Sequence, residues 1–233
     1  MNVSRAISLV LAVVLSVGAQ AGILTIEMTG HGSYSDYANR QYHRSADIVA
    51  TYKLDLDANA RDIHGHPLVA QYRAPGDWIN ASVKVRDRLT GQTKHIAEND
   101  VMRGTSYDSD YAYLRDVPGN DFYQMSSYSA GSGNYFRLYS YVYDRIDNII
   151  NSVALGQSAS WIDDNHTDRG YGYGYWRSYD RVNGRYTHHG AMSFNVTSLR
   201  ASMASTVPEP GVIALFGLAG LMLWGRRRGQ KAA

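Results

Sequence analysis

Strict alternation of apolar and polar residues is what most limits this chain. In Ile48–Leu56, the residues Ile48, Ala50, Tyr52, Leu54 and Leu56 share one parity, and Val49, Thr51, Lys53 and Asp55 the other. Side chains along a strand point to opposite faces with period two. Such a segment buries one face and wets the other, as a half-buried antiparallel strand does. Trp78–Arg88 repeats the design, with Ile79, Ala81, Val83 and Val85 inward and Asn80, Ser82, Lys84 and Arg86 outward. Leu89-Thr90-Gly91-Gln92 then reads as a turn, which makes Thr93–Val101 a hairpin partner. Further strands are expected at Ile23–Thr29, Phe122–Tyr128, Phe136–Tyr143 and Ala191–Leu199, the last with Met192, Phe194 and Val196 inward.

One segment departs from this pattern. Ile146, Ile149, Ile150, Val153 and Ala154 recur at helical spacing, between Asp144 as N-cap and Gly156 as stop. Either a short helix forms there, or a turn at Asp147-Asn148 leads into an irregular edge. Several strands between Gly-, Asn- and Asp-rich turns predict a mainly β domain over 22–200, an antiparallel β-sandwich or jelly roll. A short, small and polar linker follows at 201–206.

The two ends have a different character. Arg5 precedes an apolar run from Ile7 to Val17, and Ala19-Gln20-Ala21 is a small-x-small cleavage site. This predicts a secretory signal peptide over 1–21, with the mature chain starting at Gly22. At the other end Val207 and Pro208-Glu209-Pro210 precede an uncharged apolar run, 211–224, and then Arg226-Arg227-Arg228. Fourteen residues of helix rise only about 21 Å, against roughly 30 Å of hydrocarbon. Trp224 and the arginines can snorkel to the interface, so the run is expected to span as a single transmembrane helix. The positive-inside rule puts the arginines in the cytoplasm and the domain outside.

This order of parts, carried by Val207, Pro208, Glu209, Pro210, the apolar run and Arg226 to Arg228, resembles the PEP-CTERM sorting signal of Gram-negative bacteria. The resemblance implies an exported protein held briefly in the inner membrane. It implies processing near the Pro-Glu-Pro tripeptide by a membrane-embedded cysteine protease, the exosortase. It also implies association with exopolysaccharide, biofilm and floc. The central domain resembles a group of uncharacterised PEP-CTERM proteins in which a late strand enters an Asp-rich turn and a final strand ends in "TSL"; the matching pieces here are Phe136–Asp144 and Phe194–Leu199. The resemblance places the protein at the cell surface or outside the cell. It assigns no activity to the domain.

Charge must be counted without the two terminal signals. They hold five of the 23 Lys and Arg and one of the 21 Asp and Glu, which leaves 18 against 20 and a net charge of −2. No basic field to attract nucleic acid is expected. Cysteine is absent, so the domain has neither disulfides nor thiol chemistry and must hold together by packing.

Tyrosine is abundant, at 19, all between the two signals. If Tyr171-Gly172-Tyr173-Gly174-Tyr175-Trp176 is extended, Tyr171, Tyr173 and Tyr175 share one face and glycines leave the other open. Tyr135, Tyr139, Tyr141 and Tyr143 form a second row. Such rings pack a sheet against loops, decorate a Gly-rich loop, or stack on sugars while their hydroxyls hydrogen-bond. In the last case Tyr171, Tyr173, Tyr175 and Trp176 are the candidate glycan contacts.

Two Asp-rich stretches resemble parts of calcium loops. Asp163 to Asp168 has oxygen ligands at alternate places, but Asp168 stands where a glycine is needed and Gly174 where an acid is needed. Asp55 to Asn59 fails likewise, with Ala60 sixth and His66 twelfth. His64-Gly65-His66 and His188-His189 lack a third metal ligand in sequence. No nucleophile elbow, zinc-protease motif or phosphate loop occurs. The expectation is therefore a non-catalytic protein without metal or cofactor. Its partners are the export machinery, the exosortase, the membrane through its tail, and extracellular polysaccharide. The alternative is an exported hydrolase acting on that polysaccharide, with two carboxylates facing across a cleft.

Overall fold

Each alternating segment becomes a strand, and most run longer than their apolar residues alone require. The computed structural model describes residues 22–102, 107–146, 149–163 and 168–203. Along the chain it has β1 (Ile23–Asp36), β2 (Gln41–Asp55), β3 (Arg61–Asp62), β4 (Val69–Arg73), β5 (Ile79–Asp87) and β6 (Thr93–Ala97). One helical turn, α1 (Glu98–Val101), follows. Then come β7 (Tyr107–Asp108), β8 (Tyr111–Arg115), β9 (Asp121–Gly131), β10 (Asn134–Asp144), β11 (Ala159–Ile162), β12 (Arg169–Asp180) and β13 (Arg185–Met203). The signal peptide 1–21, the sorting residues Val207 to Pro210 and Arg226 to Arg228, and the apolar run 211–224 lie outside the described residues. Among those described, no helix is long and apolar enough to cross a membrane.

The protein is mainly β and antiparallel. All thirteen described strands join one continuous sheet, in the order β3-β4-β8-β9-β10-β12-β13-β1-β2-β5-β6, with β11 added on β13 and β7 on β9. The sheet is sandwich-like because it folds over its own inner face. Tyr52 of β2 and Ser140 of β10 are four places apart in that order, yet their hydroxyls lie 2.8 Å apart. Glu98, just after β6, likewise reaches Ser127 and Ser129 of β9. Between the two halves lies one core, with Ile48, Tyr52, Ile79 and Val83 on one side and Met125, Phe136 and Leu138 on the other. The predicted hairpin forms, but its returning strand stops at Ala97, and Glu98–Val101, expected to extend it, is the helical turn. Asp87 accepts from the backbone N–H of Leu89 and of Thr90, both at 2.7 Å, and Gly91 takes φ +73°.

The structure decides one open alternative, against the helix, and moves one further boundary. Residues 145–157 form neither helix nor strand where they are described. Asp144 accepts from the N–H of Ile146 at 2.7 Å, a local turn that competes with helix formation. Asp121 then takes the N–H of Ile149 at 2.9 Å, so a distant carboxylate does the work of a helical carbonyl. Asp147 and Asn148 lie outside the described residues. The linker also begins later than expected, because Ala201, Ser202 and Met203 still pair with Ile26, Thr25 and Leu24. Ala201 is buried and continues the inward parity of Leu199.

Glycines decide how closely the strands approach. A Cβ on Gly30 would lie 1.9 Å from the carbonyl oxygen of Asn195, at a register shift between β1 and β13. A Cβ on Gly172 would lie 2.0 Å from the ring of Phe194. A backbone oxygen cannot swing aside, so Gly30→Ala must separate the two strands. The expected cost is about 1–3 kcal/mol, seen as a Tm lowered by roughly 2–10 °C for the full chain in mild detergent. An unchanged Tm would mean that β1 and β13 are less closely apposed than described.

Candidate functional site

β10 and β12 bring the two tyrosine rows onto one surface. Their antiparallel register pairs Tyr139 with Tyr173, Tyr141 with Tyr171, and Arg137 with Tyr175. Directly opposed residues share a face, so the rows predicted separately are one patch. The inward positions between them are Phe136, Leu138, Ser140 and Val142 on β10 and Gly172, Gly174 and Trp176 on β12. The glycines are not open to ligand. Phe194 lies over Gly172, and Met192 and Trp176 over Gly174, so the missing side chains make room for core residues of β13 and β12.

Trp176 is accordingly a correction. It follows Tyr175 by one residue and so points to the opposite face, where it is 2% exposed, stacks on Tyr34 at 6.0 Å and packs against Gly190. Tyr171, Tyr173 and Tyr175 do share the outer face, and Tyr171 is the most open of them at 39%.

The patch continues onto strands whose role the sequence reading did not assign. Tyr111 and Tyr113 of β8 stand opposite Ser126 and Gln124 of β9, which stand opposite Tyr139 and Tyr141. The result is two transverse rows, Tyr111-Ser126-Tyr139-Tyr173 and Tyr113-Gln124-Tyr141-Tyr171. Adjacent positions in a row are about 4.8 Å apart and the rows themselves about 7 Å apart. Phe122 stacks on Tyr141 at 5.3 Å and meets Tyr113 edge-on at 5.6 Å. Tyr128, Tyr135 and Tyr175 continue the ring contacts, at 5.3 and 5.4 Å, towards His189. The Tyr-x-Tyr-x-Arg alternation of Tyr111–Arg115 was the signal for the missing part.

Burial within this layer raises the Tyr139 hydroxyl to about 12 and pushes Tyr173 up as well. Both hydroxyls therefore remain protonated donors at neutral pH. Burial and the nearby Arg177 lower His189. Two open depressions interrupt the layer. One, of about 480 Å³, lies among Gln71, Arg73, Tyr111 and Tyr113; the other, of about 450 Å³, among Tyr139, Tyr141, Tyr143 and Arg169; both touch Arg115 and Phe122.

The other clusters are turns and supports. Asp55 accepts from the N–H of Asp57 at 2.9 Å, which closes a local turn. In the second Asp-rich stretch, 164–167 lie outside the described residues. His64 and Gly65 are held by their N–H groups to Asp62, and His189 belongs to the ring layer. Among the described residues no group of three or more His, Cys, Asp or Glu is placed to hold a metal ion. His43 and Asp87 form a pair beside Tyr34 and Lys94, and its small pocket has no Ser, Thr or Cys in its wall. Hydrogen bonds from the Thr90 backbone and from His43 hold Asp87 down at about 2.

Among the described residues, Glu98 and Asp110 are the carboxyls with strongly raised pKa. Burial pushes Glu98 up to about 7, against the opposing pull of its Ser129 and Ser127 hydrogen bonds. Burial and the Glu98 charge push Asp110 up to about 8. Both are enclosed, at 1% and 4% exposure. Above about pH 4 the unfolded chain loses these protons while the folded chain keeps them until about pH 7–8. The folded state binds more protons across that window, so its stability falls as pH rises. The Tm of the full chain is expected to drop between pH 5 and pH 8. Glu98→Gln keeps an acceptor for Ser127 and gains a donor for Ser129, and should flatten that drop and raise Tm at pH 8. A Tm that rises over this range, equally in both proteins, would contradict the assignment.

A scan against protein-family models finds no match, and no curated protein matches the chain.

Proposed function

We propose that this is an exported, non-catalytic protein of the cell surface or extracellular matrix, whose tyrosine face contacts extracellular polysaccharide. The observation that carries the reading is the single outer face on which β8, β9, β10 and β12 align Tyr111, Tyr113, Tyr139, Tyr141, Tyr171 and Tyr173. Partly exposed rings offer stacking surfaces, and their protonated hydroxyls donate hydrogen bonds to a hydroxyl-rich chain. Each ring contact is worth roughly 0.5–1.5 kcal/mol. Three give only about millimolar affinity, so retention in a matrix rests on many copies or on the membrane anchor.

Export is proposed from the terminal signals: a peptide over 1–21 cleaved before Gly22, and a PEP-CTERM tail recognised at Val207 to Pro210, with a membrane helix over 211–224 stopped by Arg226 to Arg228. Between them stands a β-sandwich domain. Sorting by an exosortase would move the protein from the inner membrane to the surface or the medium. The hydrolase alternative needs two carboxylates across an open cleft. The two carboxyls with strongly raised pKa are enclosed instead, which favours binding.

Two measurements test this. Mass spectrometry of the surface fraction of a host with its exosortase should find a start at Gly22 and no arginine tail; an intact tail there would remove the processing step. In affinity electrophoresis against the host's own exopolysaccharide, the wild type should be retarded, and Tyr171→Ala/Tyr173→Ala less so at unchanged circular dichroism. Equal retardation of the two would remove these rings from the contact. No retardation of the wild type would remove the polysaccharide.

A further inference from the structure

The tyrosine face is bordered by arginines, and among the described residues no outward position of β4, β8, β9, β10 or β12 is a carboxylate. On β4, β8, β10 and β12 the outward parity that carries the tyrosines also carries Arg73, Arg115, Arg137, Arg169 and Arg177. In register, Arg115, Phe122, Tyr143 and Arg169 form a row beside the Tyr113–Tyr171 row. On the other side Arg137 stands between Tyr128 and Tyr175. The two arginine borders are six residues apart along β10, roughly 20 Å at a strand's rise.

The acids of these strands take the opposite parity or the turns. Asp121 and Asp144 are buried, and Asp180 accepts from the backbone of the Val182-Asn183 turn. The ion pairs His31–Asp47–Arg88, His43–Asp87 and Lys94–Asp36 lie on or beside other strands. Several arginines rest on rings instead: Arg115 is 5.6 Å from the Phe122 centroid, Arg73 5.8 Å from Tyr111 and Arg177 6.0 Å from Tyr135. Arg115 also donates from Nε and Nη2 to Asn120, whereas on Arg73 and Arg177 stacking holds the guanidinium in place and leaves its edge N–H groups to donate.

We propose that this face binds an acidic polysaccharide, one bearing carboxylates, laid across the strands along the tyrosine rows with its charges on the arginine borders. This rests on the polysaccharide reading above and narrows it. Neutral sugar rings need only the aromatic band. A planar guanidinium beside it matches a carboxylate in two-pronged fashion. The local field is cationic although the mature stretch as a whole is −2, because the acids are buried, in turns or on other strands. The same mixture of rings and cations could take a single-stranded nucleic acid. Tyrosine hydroxyls that stay donors, and the exported location proposed above, favour the sugar.

The test uses the full chain in mild non-ionic detergent, with polygalacturonate, its methyl ester and oligo(dT) as probes. Polygalacturonate should bind more tightly than the ester by at least about fivefold, and that excess should vanish at high salt. Arg137→Gln/Arg169→Gln should lose most of the excess, roughly five- to tenfold, while its binding to the ester and its circular dichroism stay unchanged. These two guanidiniums make no hydrogen bond or ring contact that the described fold relies on. Equal binding of acid and ester overturns the inference and leaves the polysaccharide reading standing. Acid binding that the double variant does not weaken overturns the arginine assignment. Tighter binding of oligo(dT) than of polygalacturonate overturns the ligand class. No binding of either polysaccharide, together with no retardation by the host polymer, removes both.

Discussion

The pairing of β1 with β13 is the constraint on which the rest depends. These strands, from the two ends of the domain, run side by side from Leu24↔Met203 to Asp36↔Gly190. On one side of the pair the sheet continues into β2, β5 and β6; on the other into β12, β10, β9, β8 and β4. Without it there are two meanders, each with an exposed apolar face and a raw edge. With it there is one sheet long enough to fold over its own inner face. The contact has the greatest sequence separation in the domain and carries the largest loop-closure cost. It also brings the chain's entry and exit together, since a Cβ on Gly22 would touch Met203 at 3.2 Å.

The same join explains the composition of β12. Its glycines look from sequence like a means of baring the backbone. They instead face the core and receive larger partners across the ladder: Gly172 opposite Phe194, Gly174 opposite Met192, and in the reverse sense Trp176 opposite Gly190. Large against small at each rung keeps the inner layer filled where the sheet bends. The tyrosines between the glycines are thereby fixed on the outer face. The core requirement and the candidate site are written into the same six residues, Tyr171 to Trp176, on opposite parities.

How much could be read from the sequence follows from this division. Parity was legible wherever a strand was long and one face fully apolar, as in β2 and β5, and it put Met192, Phe194 and Val196 inward correctly. It was hidden in β4, β8 and β11, which are four or five residues long and alternate only two or three times. The Ile146–Ala154 spacing looked helical because Ile149 and Ile150 are both buried in an irregular segment, held by Asp121 rather than by a helix. Tyr171, Tyr173 and Tyr175 were placed on one face by alternation alone; counting Trp176 with them ignored that same alternation. That Tyr111 and Tyr113 join them depends on strand order, which no local pattern contains. Net charge is uninformative in a similar way, because it adds residues that the fold sends to different surfaces.

The allocation of charge has a structural cause. A domain without cysteine, with irregular connections at 56–60, 74–78, 116–120, 145–146 and 149–158, needs something other than disulfides to fix its loops. Here carboxylates do it, by accepting backbone N–H groups. Asp110 takes those of Ile79 and Tyr128, Asp121 those of Val117 and Ile149, Asp62 those of His64, Gly65 and Gln71, and Asp87 those of Leu89 and Thr90. Arginine cannot take this role, because it has donors and no acceptor. Acids are therefore drawn into turns and the interior by the backbone's unmet donors, and some, like Glu98 and Asp110, end there with raised pKa and reduced charge at neutral pH. The arginines can only donate, as Arg115 does to Asn120 and Arg181 to Ser132, and otherwise stay at the outer ends of strands and over the rings. A near-neutral composition thus folds into a surface with a cationic, aromatic side as a consequence of how its loops are tied down.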